Sequence, residues 1–259
     1  MRGGSFGTPL TLVTAFVLAA LLAISGGLVP GPTPALAQGT KPSAVPTPPA
    51  VVGGVYANDL TGPEIFPTGE CPGGKALGVN VGEGFKFTVR GKCVPDQAQA
   101  NVAQLGRGIG FWDGDAALDF KVVVGQERAT IALYARYLNR NGVEARVDVG
   151  AGELKLVQRK DGDMATLASR ADLGSLIDAS NWNRLAFRAR GGEVWLLLND
   201  VPVLYAADTI DQVGMVGIQV LRDGSPDDDD EVSVVFRDLT LSKVVDSPDE
   251  RAPVYQAPS

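Results

Sequence analysis

The chain has 259 residues, of which 30 are acidic and 23 basic, with no histidine, so its net charge is −7. The absence of histidine excludes the Ser-His-Asp triad, the Cys-His dyad and most zinc and iron sites. The acidic balance argues against a broad nucleic-acid-binding surface, so we expect no nucleic acid as a partner. Hydrophobic residues at 45%, with 32 glycines and 17 prolines, favour a folded all-β chain rich in turns.

Residues 1–37 have the pattern of a secretory signal peptide. Arg2 precedes an apolar run over residues 10–24, and an Ala-Leu-Ala sequence ends at Ala37, just before Gln38. The alternative is an uncleaved N-terminal membrane anchor, although the apolar run is short against the roughly 20 residues that a span needs. Either interpretation puts the rest of the chain outside the cytoplasm, secreted or associated with the cell envelope, with a membrane contacted only through an uncleaved N-terminus.

The following segment, residues 38–54, is rich in proline, alanine and glycine and is typical of a semi-rigid extended spacer. Residues 246–259 contain three prolines without any periodicity and indicate a disordered tail. Between them, residues 55–245 show no internal repeat. We therefore expect one folded domain over residues 55–245.

Cys71 and Cys93 are the only two cysteines of the chain. An extracytoplasmic location favours a disulfide between them, which would close a loop of about 22 residues. A metal site would need more ligands than two distant cysteines, and a nucleophilic thiol would lack a histidine base.

Within the domain the hydrophobic period is two. Leu118, Phe120 and Val122 alternate with other residues, which is the pattern of a half-buried strand. The same alternation recurs over residues 131–137, 143–149, 154–156, 185–190 and 194–198, with further strands at 201–205, 213–220 and 232–243. Glycine- and asparagine-containing turns separate these segments, and residues 170–177 are the one short helical candidate. The pattern predicts an all-β, two-sheet antiparallel sandwich.

Residues 181–244 carry four motifs in a recognisable order. They are a W-N-R-L strand start at Trp182, a hairpin turn at Asn199-Asp200, a G-x-x-G strand at Gly214 and Gly217, and a closing V-x-F-R-D-L-x-L strand over 234–241. In these the chain resembles the concanavalin A-like lectin/glucanase superfamily, in particular laminin-G-like and 3-keto-disaccharide hydrolase domains. The resemblance implies a jelly roll of two curved antiparallel sheets whose concave face often binds glycans.

The glucanase members of that superfamily carry an E-x-D-x-E-like pair of carboxylates on one strand. The nearest positions here are Glu144 and Asp148, with Arg146 between them. The two carboxylates share a face, but four residues of strand put them too far apart for retaining hydrolysis, which needs about 5 Å. We therefore predict no catalytic residue.

Aromatic and basic residues on outward strand positions are the candidates for a glycan site. Trp195 lies between core positions of its strand, and Tyr134 does so in another, so both are expected to face away from the core. Flat rings together with a few polar groups match the C–H faces and hydroxyl edges of a sugar. The candidate ligand-binding residues are Trp195, Tyr134, Arg136, Arg146, Arg188 and Trp112.

Residues 223–231 form an acidic loop, which holds six of the 30 acidic residues and leaves the rest of the chain nearly neutral. Calcium takes 6–8 oxygen ligands, so the loop is a candidate for a structural calcium site, the one cofactor that the sequence suggests. The candidate ligands are Asp223, Asp227, Asp228, Asp229, Asp230 and Glu231. The alternative is a solvated loop whose charges discourage edge pairing.

Three functions remain open. The first is a non-catalytic module that binds a carbohydrate or a cell-surface glycan on one curved sheet. The second is a glycoside or 3-keto-disaccharide hydrolase, which rests on the resemblance only. The third is a structural or adhesion domain without a small ligand.

The cysteine pair gives a direct stability prediction. We expect Cys71→Ser to lower the free energy of unfolding by about 3 kcal/mol, because the unfolded chain regains the entropy of the opened loop. Urea denaturation measures the change, and the double variant with Cys93→Ser should be no less stable than the single one. A free-thiol assay that finds two reactive cysteines in the unfolded, unreduced protein would contradict the disulfide.

Overall fold

The computed structural model describes residues 44–61, 74–91, 102–104, 109–222 and 230–255. Three groups of residues from the sequence analysis lie outside these ranges. They are the predicted signal peptide or anchor, the two cysteines Cys71 and Cys93, and residues 223–229 of the acidic loop. Within the described ranges, no helix has both the length and the apolar character that crossing a membrane requires.

The described residues form strands in rapid succession, joined by short turns. In chain order these are β1 (Val51–Asn58), β2 (Gly74–Val81), β3 (Gly84–Gly91), β4 (Val102–Gln104), β5 (Ile109–Gly110), β6 (Gly114–Val124), β7 (Ala129–Leu138), β8 (Asn141–Asp148), β9 (Glu153–Lys160), β10 (Asp163–Ala171), β11 (Asn183–Arg190), β12 (Glu193–Leu198), β13 (Val201–Ala206), β14 (Met215–Arg222), β15 (Glu231–Val244) and β16 (Val254–Tyr255). Single turns of 3-10 helix lie at Gln126–Arg128 and Asp249–Arg251. The predicted helix over 170–177 is wrong, because its first residues end β10 and the rest form turns.

The strands pair into two large antiparallel sheets. Sheet A has the order β13-β12-β11-β6-β15-β3-β2, with β1 also paired to β15, and sheet B has the order β10-β9-β8-β7-β14-β4. The long strand β15 pairs with β6 on one side, and with β3 and then β1 on the other. A two-stranded pair of β16 and β5 completes the arrangement.

The core lies between the two sheets and follows the alternation of the sequence. Leu118 and Phe120 of β6 face Leu133 of β7 across this core, and all three are fully buried. Because successive side chains of a strand point to opposite faces, the apolar period of two gives each sheet one buried face and one outer face. The predicted fold class, an all-β, two-sheet antiparallel jelly-roll sandwich, is confirmed.

Both ends of the domain extend beyond the predicted boundaries at 55 and 245. β1 begins at Val51, and residues 44–50 lie against the outer face of sheet A, where Trp195 Nε1 donates to the carbonyl oxygen of Pro46 at 3.1 Å. Arg188 Nη1 donates to the carbonyl oxygen of Pro49 at 2.9 Å. The proline-rich composition indicated an extended segment, but its outward carbonyls also make it a good hydrogen-bond acceptor for this face.

At the other end, the residues predicted as a disordered tail are ordered up to Tyr255. Val254 and Tyr255 pair with β5, and Arg251 forms ion pairs with Asp113 and Asp211. The interpretation of residues 246–255 as a loose tail is therefore wrong, because a buried carboxylate of the domain needs the Arg251 guanidinium as a partner.

Removal of residues 44–50 should open the outer face of sheet A. We expect a chain that starts at Val51 to be less stable by about 2 kcal/mol, because Trp195 and its apolar neighbours lose their cover. Urea denaturation measures the loss, and a red shift of tryptophan emission reports the exposure. The control is a chain that starts at Gln38 and keeps the segment; equal stability and emission for the two chains would contradict this role.

Candidate functional site

The structure distributes the six candidate ligand-binding residues over three separate places. Trp195 and Arg188 lie on the outer face of sheet A. Trp112 and Arg136 lie in a buried polar network at one end of the sandwich. Only Tyr134 and Arg146 lie on the outer face of sheet B, so the six residues do not form one site.

On sheet A, Trp195 points away from the main core, as the alternation predicts, but its ring is not open to a ligand. It is 1% exposed and packs in a second apolar cluster with Ala117, Ala186 and Leu197, against Val45. The prediction that Trp195 offers a free stacking surface is wrong, because residues 44–50 cover it.

Arg188, on the same face, also makes its hydrogen bonds within the protein. Its Nε donates to Asp115 Oδ1 at 2.7 Å, and its Nη1 binds the Pro49 carbonyl oxygen. Burial raises the pKa of Asp115 from its ordinary value, although the charge of Arg188 opposes this shift. Arg188 therefore holds the N-terminal segment in place, and its prediction as a ligand contact is wrong.

Arg136 is fully buried, and each of its three nitrogens donates a hydrogen bond within the protein. Nε donates to the Trp112 carbonyl oxygen at 2.7 Å, Nη1 to the Ile210 carbonyl oxygen at 2.9 Å, and Nη2 to Asp113 Oδ1 at 3.0 Å. Burial lowers the pKa of Arg136 to about 10, with Asp113 and Asp211 opposing the shift, so the side chain remains charged at neutral pH. The prediction of Arg136 as a ligand contact is wrong.

A bulge explains why the alternation failed at Arg136. The pairing of β7 with β8 shifts between Ala135 and Leu138, and Arg136 has a φ of 56°, in the left-handed region. The shift turns Arg136 away from the face that Tyr134 occupies. A bulge of this kind leaves no signal in the hydrophobic period.

Trp112 belongs to the same network. Its Nε1 donates to Asp211 Oδ1 at 2.7 Å, and the Arg251 guanidinium lies 4.3 Å from its ring centre in a cation–π contact. Trp112 therefore has an ordered structural role, and its prediction as a ligand contact finds no support in this geometry. Sequence reasoning missed Asp211 and Arg251, because both lie about 100 residues or more from Trp112 along the chain.

Sheet B presents a different outer face, built from cross-strand rows of mostly polar and small residues. One row runs through Thr166, Val157, Glu144, Tyr134 and Gly217, from β10 to β14. The next runs through Ser169, Lys155, Arg146, Ala132 and Gln219. Neighbours across strands are about 5 Å apart, so these side chains pack against one another. Most central members of the two rows are buried, and the rows become exposed at Thr166 and Ser169 on the edge strand β10.

The centre of this surface is a cluster of three charged side chains, Glu144, Arg146 and Arg159. Glu144 Oε2 accepts from Arg146 Nε at 2.7 Å, and Glu144 Oε1 accepts from Arg159 Nε at 3.3 Å. The spacing of Glu144 and Arg146 along β8 was visible in the sequence. Arg159 was missed, because only the pairing of β8 with β9 brings it beside Glu144.

Tyr134 occupies the same surface, two strands from Arg159. It is 2% exposed, and its hydroxyl is buried without a hydrogen-bond partner. The prediction that Tyr134 offers its ring to a ligand is therefore wrong, as it is for Trp195, because neither ring is accessible. Its ring lies over Gly217, where a Cβ atom would stand 1.9 Å from the hydroxyl oxygen, so only glycine leaves room for it. Burial raises the pKa of Tyr134 and keeps the hydroxyl protonated, so it is a hydrogen-bond donor without an acceptor.

Of the six candidate calcium ligands, the structure describes only Asp230 and Glu231. Asp223, Asp227, Asp228 and Asp229 lie outside the described residues. Asp230 forms an ion pair with Arg128, and Glu231 forms one with Arg90 and accepts from Ser233. No group of three or more acidic or cysteine side chains in the described part of the chain is arranged to hold a metal ion. Any calcium at this loop would compete with two arginines for its last two carboxylates.

Comparison with known proteins supports the architecture. No family model and no curated protein matches the sequence. Among solved structures the chain is similar to the carbohydrate-binding module CBM66 from Bacillus subtilis, at 18% identity and a TM-score of 0.50, over 67% of this chain and 98% of that one.

Two glucanases are similar to this chain with comparable TM-scores and lower sequence identity. One is a prokaryotic β-1,3-1,4-glucanase (lichenase) from a mouse hindgut metagenome, at 9% identity, TM-score 0.53, and coverage of 73% of this chain and 99% of that one. The other is the Bacillus licheniformis β-glucanase, at 9% identity, TM-score 0.52, and coverage of 74% and 99%. This chain has the concanavalin A-like jelly-roll fold. Identities this low establish the jelly roll only, so the function is argued from the outer face of sheet B.

The buried network yields a stability prediction. We expect Arg136→Met to lower the free energy of unfolding by about 3–5 kcal/mol, because it leaves two carbonyl oxygens and part of the Asp113 carboxylate without donors. The control is Arg190→Met, which removes a half-exposed pair with Glu193 and should cost less than about 1 kcal/mol. Equal losses in urea denaturation would contradict the structural role of Arg136.

Proposed function

We propose that this chain is an extracytoplasmic, non-catalytic module that binds a carbohydrate on the outer face of sheet B. One observation carries the proposal. Residues 44–50 cross the outer face of sheet A, whereas the outer face of sheet B brings the charged side chains of Glu144, Arg146 and Arg159 beside its exposed edge strand β10. The likeness to a carbohydrate-binding module and to two glucanases supports a sugar as the ligand class.

The chemistry of this surface suits hydroxyl-rich ligands. A sugar ring offers adjacent hydroxyls that donate and accept at once, and carboxylate and guanidinium groups match them as planar, two-pronged partners. Arg146 Nη1 has no hydrogen-bond partner among the described residues and is available to a ligand. A few such polar groups on a rigid sheet are enough to orient a small ligand.

A binding role fits the two carboxylates of β8 better than catalysis. Both oxygens of Glu144 already accept from arginines, and Asp148 Oδ1 accepts from the backbone N–H of Ala151 at 2.8 Å in the turn after the strand. Both carboxylates are thus engaged in contacts within the protein. The hydrolase interpretation rests on the resemblance of the sequence and on the likeness of the fold to the two glucanases, and no arrangement of carboxylates in the described residues adds to it.

The extracytoplasmic location belongs to the proposal as well. It is supported by the signal-like N-terminus and by the two cysteines, whose spacing suits one disulfide. A glycan ligand of the envelope or of the surroundings is consistent with that location.

A glycan array with the purified chain, starting at Gln38, tests the proposal. We expect binding to a restricted set of glycans, and a loss of about tenfold or more in affinity for Arg146→Ala, because a charged hydrogen-bond donor is removed from the ligand face. The matched control is Arg190→Ala on β11 of sheet A, which should bind as the parent does.

Three results would count against this function. Failure to bind any glycan would favour a structural or adhesion domain. Release of reducing sugar or of a keto-sugar would favour an enzyme. Equal binding by the parent and Arg146→Ala would mean that the ligand binds elsewhere.

Repeating the array with EDTA tests the calcium proposal. If a calcium ion at residues 223–231 supports glycan binding, chelation of that ion must abolish the binding.

A further inference from the structure

Two arginines on the outer face of sheet B share one carboxylate and end on the same sulfur atom. Arg146 Nη2 donates to Met164 Sδ at 3.3 Å, and Arg159 Nη2 donates to the same sulfur at 3.2 Å. Met164 lies on β10, the edge strand of sheet B, and is 40% exposed. Arg146 Nη2 also lies 2.6 Å from Glu144 Oε2. At the point where the two Nη2 groups converge, however, the protein supplies a thioether, which is only a weak acceptor.

The charges of this cluster do not balance. Glu144 is the only acidic residue of the described chain within ion-pair distance of Arg146 or Arg159, so two guanidinium groups face one carboxylate. The side chains of Arg146, Arg159 and Glu144 are 12%, 9% and 4% exposed. A positive charge that is this poorly solvated is destabilising unless an anion pairs with it. A second anion beside the two guanidinium groups would therefore be bound favourably.

The geometry shows where an anion would bind. Since both Nη2 atoms lie within hydrogen-bond reach of one sulfur atom, two oxygens of a carboxylate or sulfate placed there accept from both arginines. Methionine is flexible, and Met164 is at a sheet edge, so its side chain can swing into solvent without a change in the backbone. Glu144 stays in place and holds both guanidinium planes in orientation.

The neighbouring residues of β10 leave room for the rest of a sugar. Thr166 and Ser169 continue the two polar rows to the edge of the sheet, and both are exposed. A sugar ring that brings its oxyanion to the arginine pair thus has two hydroxyls in reach.

We propose that the preferred ligand is an anionic glycan, whose carboxylate or sulfate displaces Met164 and binds Arg146 and Arg159 together. The inference rests on the proposed function, since it names the ligand class of the same face. The uronate carboxylate and the sulfate ester share the chemistry that the two guanidinium groups recognise.

Paired oligosaccharides test the ligand class. Isothermal titration would compare oligogalacturonate with its methyl ester, and chondroitin sulfate oligosaccharides with their desulfated, methyl-esterified forms. We expect the charged member of at least one pair to bind about tenfold or more tightly, with an affinity that falls as the salt concentration rises. The pair that shows this preference identifies the source of the oxyanion.

Substitution of Met164 tests the site without disturbing the fold, because the side chain is half exposed at a sheet edge. Met164→Glu places a carboxylate between the two guanidinium groups. We expect it to raise the melting temperature and to weaken binding of the anionic oligosaccharide about tenfold or more. Met164→Gln is the matched neutral control, and it should retain the preference for the charged ligand.

The outcomes separate this inference from the proposed function. Equal binding of charged and neutral members, or unchanged binding by Met164→Glu, overturns the anionic ligand and leaves a neutral-glycan module standing. If inorganic sulfate binds but no charged oligosaccharide does, the site holds an adventitious ion only, and the anionic-glycan inference is overturned. Failure of every glycan to bind removes the proposed function itself. Arg170→Gln, another charge on β10, must leave the preference unchanged for the arginine pair to be its cause.

Discussion

The carboxylate of Asp113 joins parts of the chain that lie far apart in sequence. It accepts hydrogen bonds from Arg136 of β7, from Arg251 near the C-terminus, from the backbone N–H of Gly191 and from Ser247. A buried carboxylate without such partners would be strongly destabilising, so these segments are constrained to meet. The network fixes the bulge in β7 and holds the chain after β15 against the domain. The two sheets are thus tied together at this end by polar contacts as well as by the apolar core.

The two outer faces differ in the side chains that they carry and in the contacts that those side chains make. On sheet A, Trp195 and Arg188 supply the two donors that residues 44–50 accept through proline carbonyls. An extended proline-rich segment loses little conformational entropy on docking, so two hydrogen bonds and a few apolar contacts hold it. Trp195, the aromatic residue that looked most suitable for a sugar, is covered by this contact, so the proposed ligand face is on sheet B.

The proposed ligand face of sheet B is built from residues that other residues of the protein already hold in place. Glu144 orients Arg146 and Arg159, and the room over Gly217 orients Tyr134. Side chains held in this way lose little freedom when a ligand binds. Because these side chains are held in place, the two guanidinium groups keep the weak thioether acceptor of Met164 as their shared partner. The excess positive charge of this cluster is a local feature of the chain, because the acidic loop over residues 223–231 accounts for most of the net negative charge.

The sequence by itself determined the fold class and the side of each strand that faces the core, because alternation along a strand is a local property. It correctly placed Leu133 inside and Tyr134 outside, and Leu196 inside and Trp195 outside. Only the tertiary structure decided which outer positions meet and which are covered. Tyr134 and Trp195 belong to different sheets, and a bulge turned Arg136 into the interior. Strand order, bulges and docked termini depend on contacts between residues far apart in the chain, and no pattern of neighbouring residues encodes them.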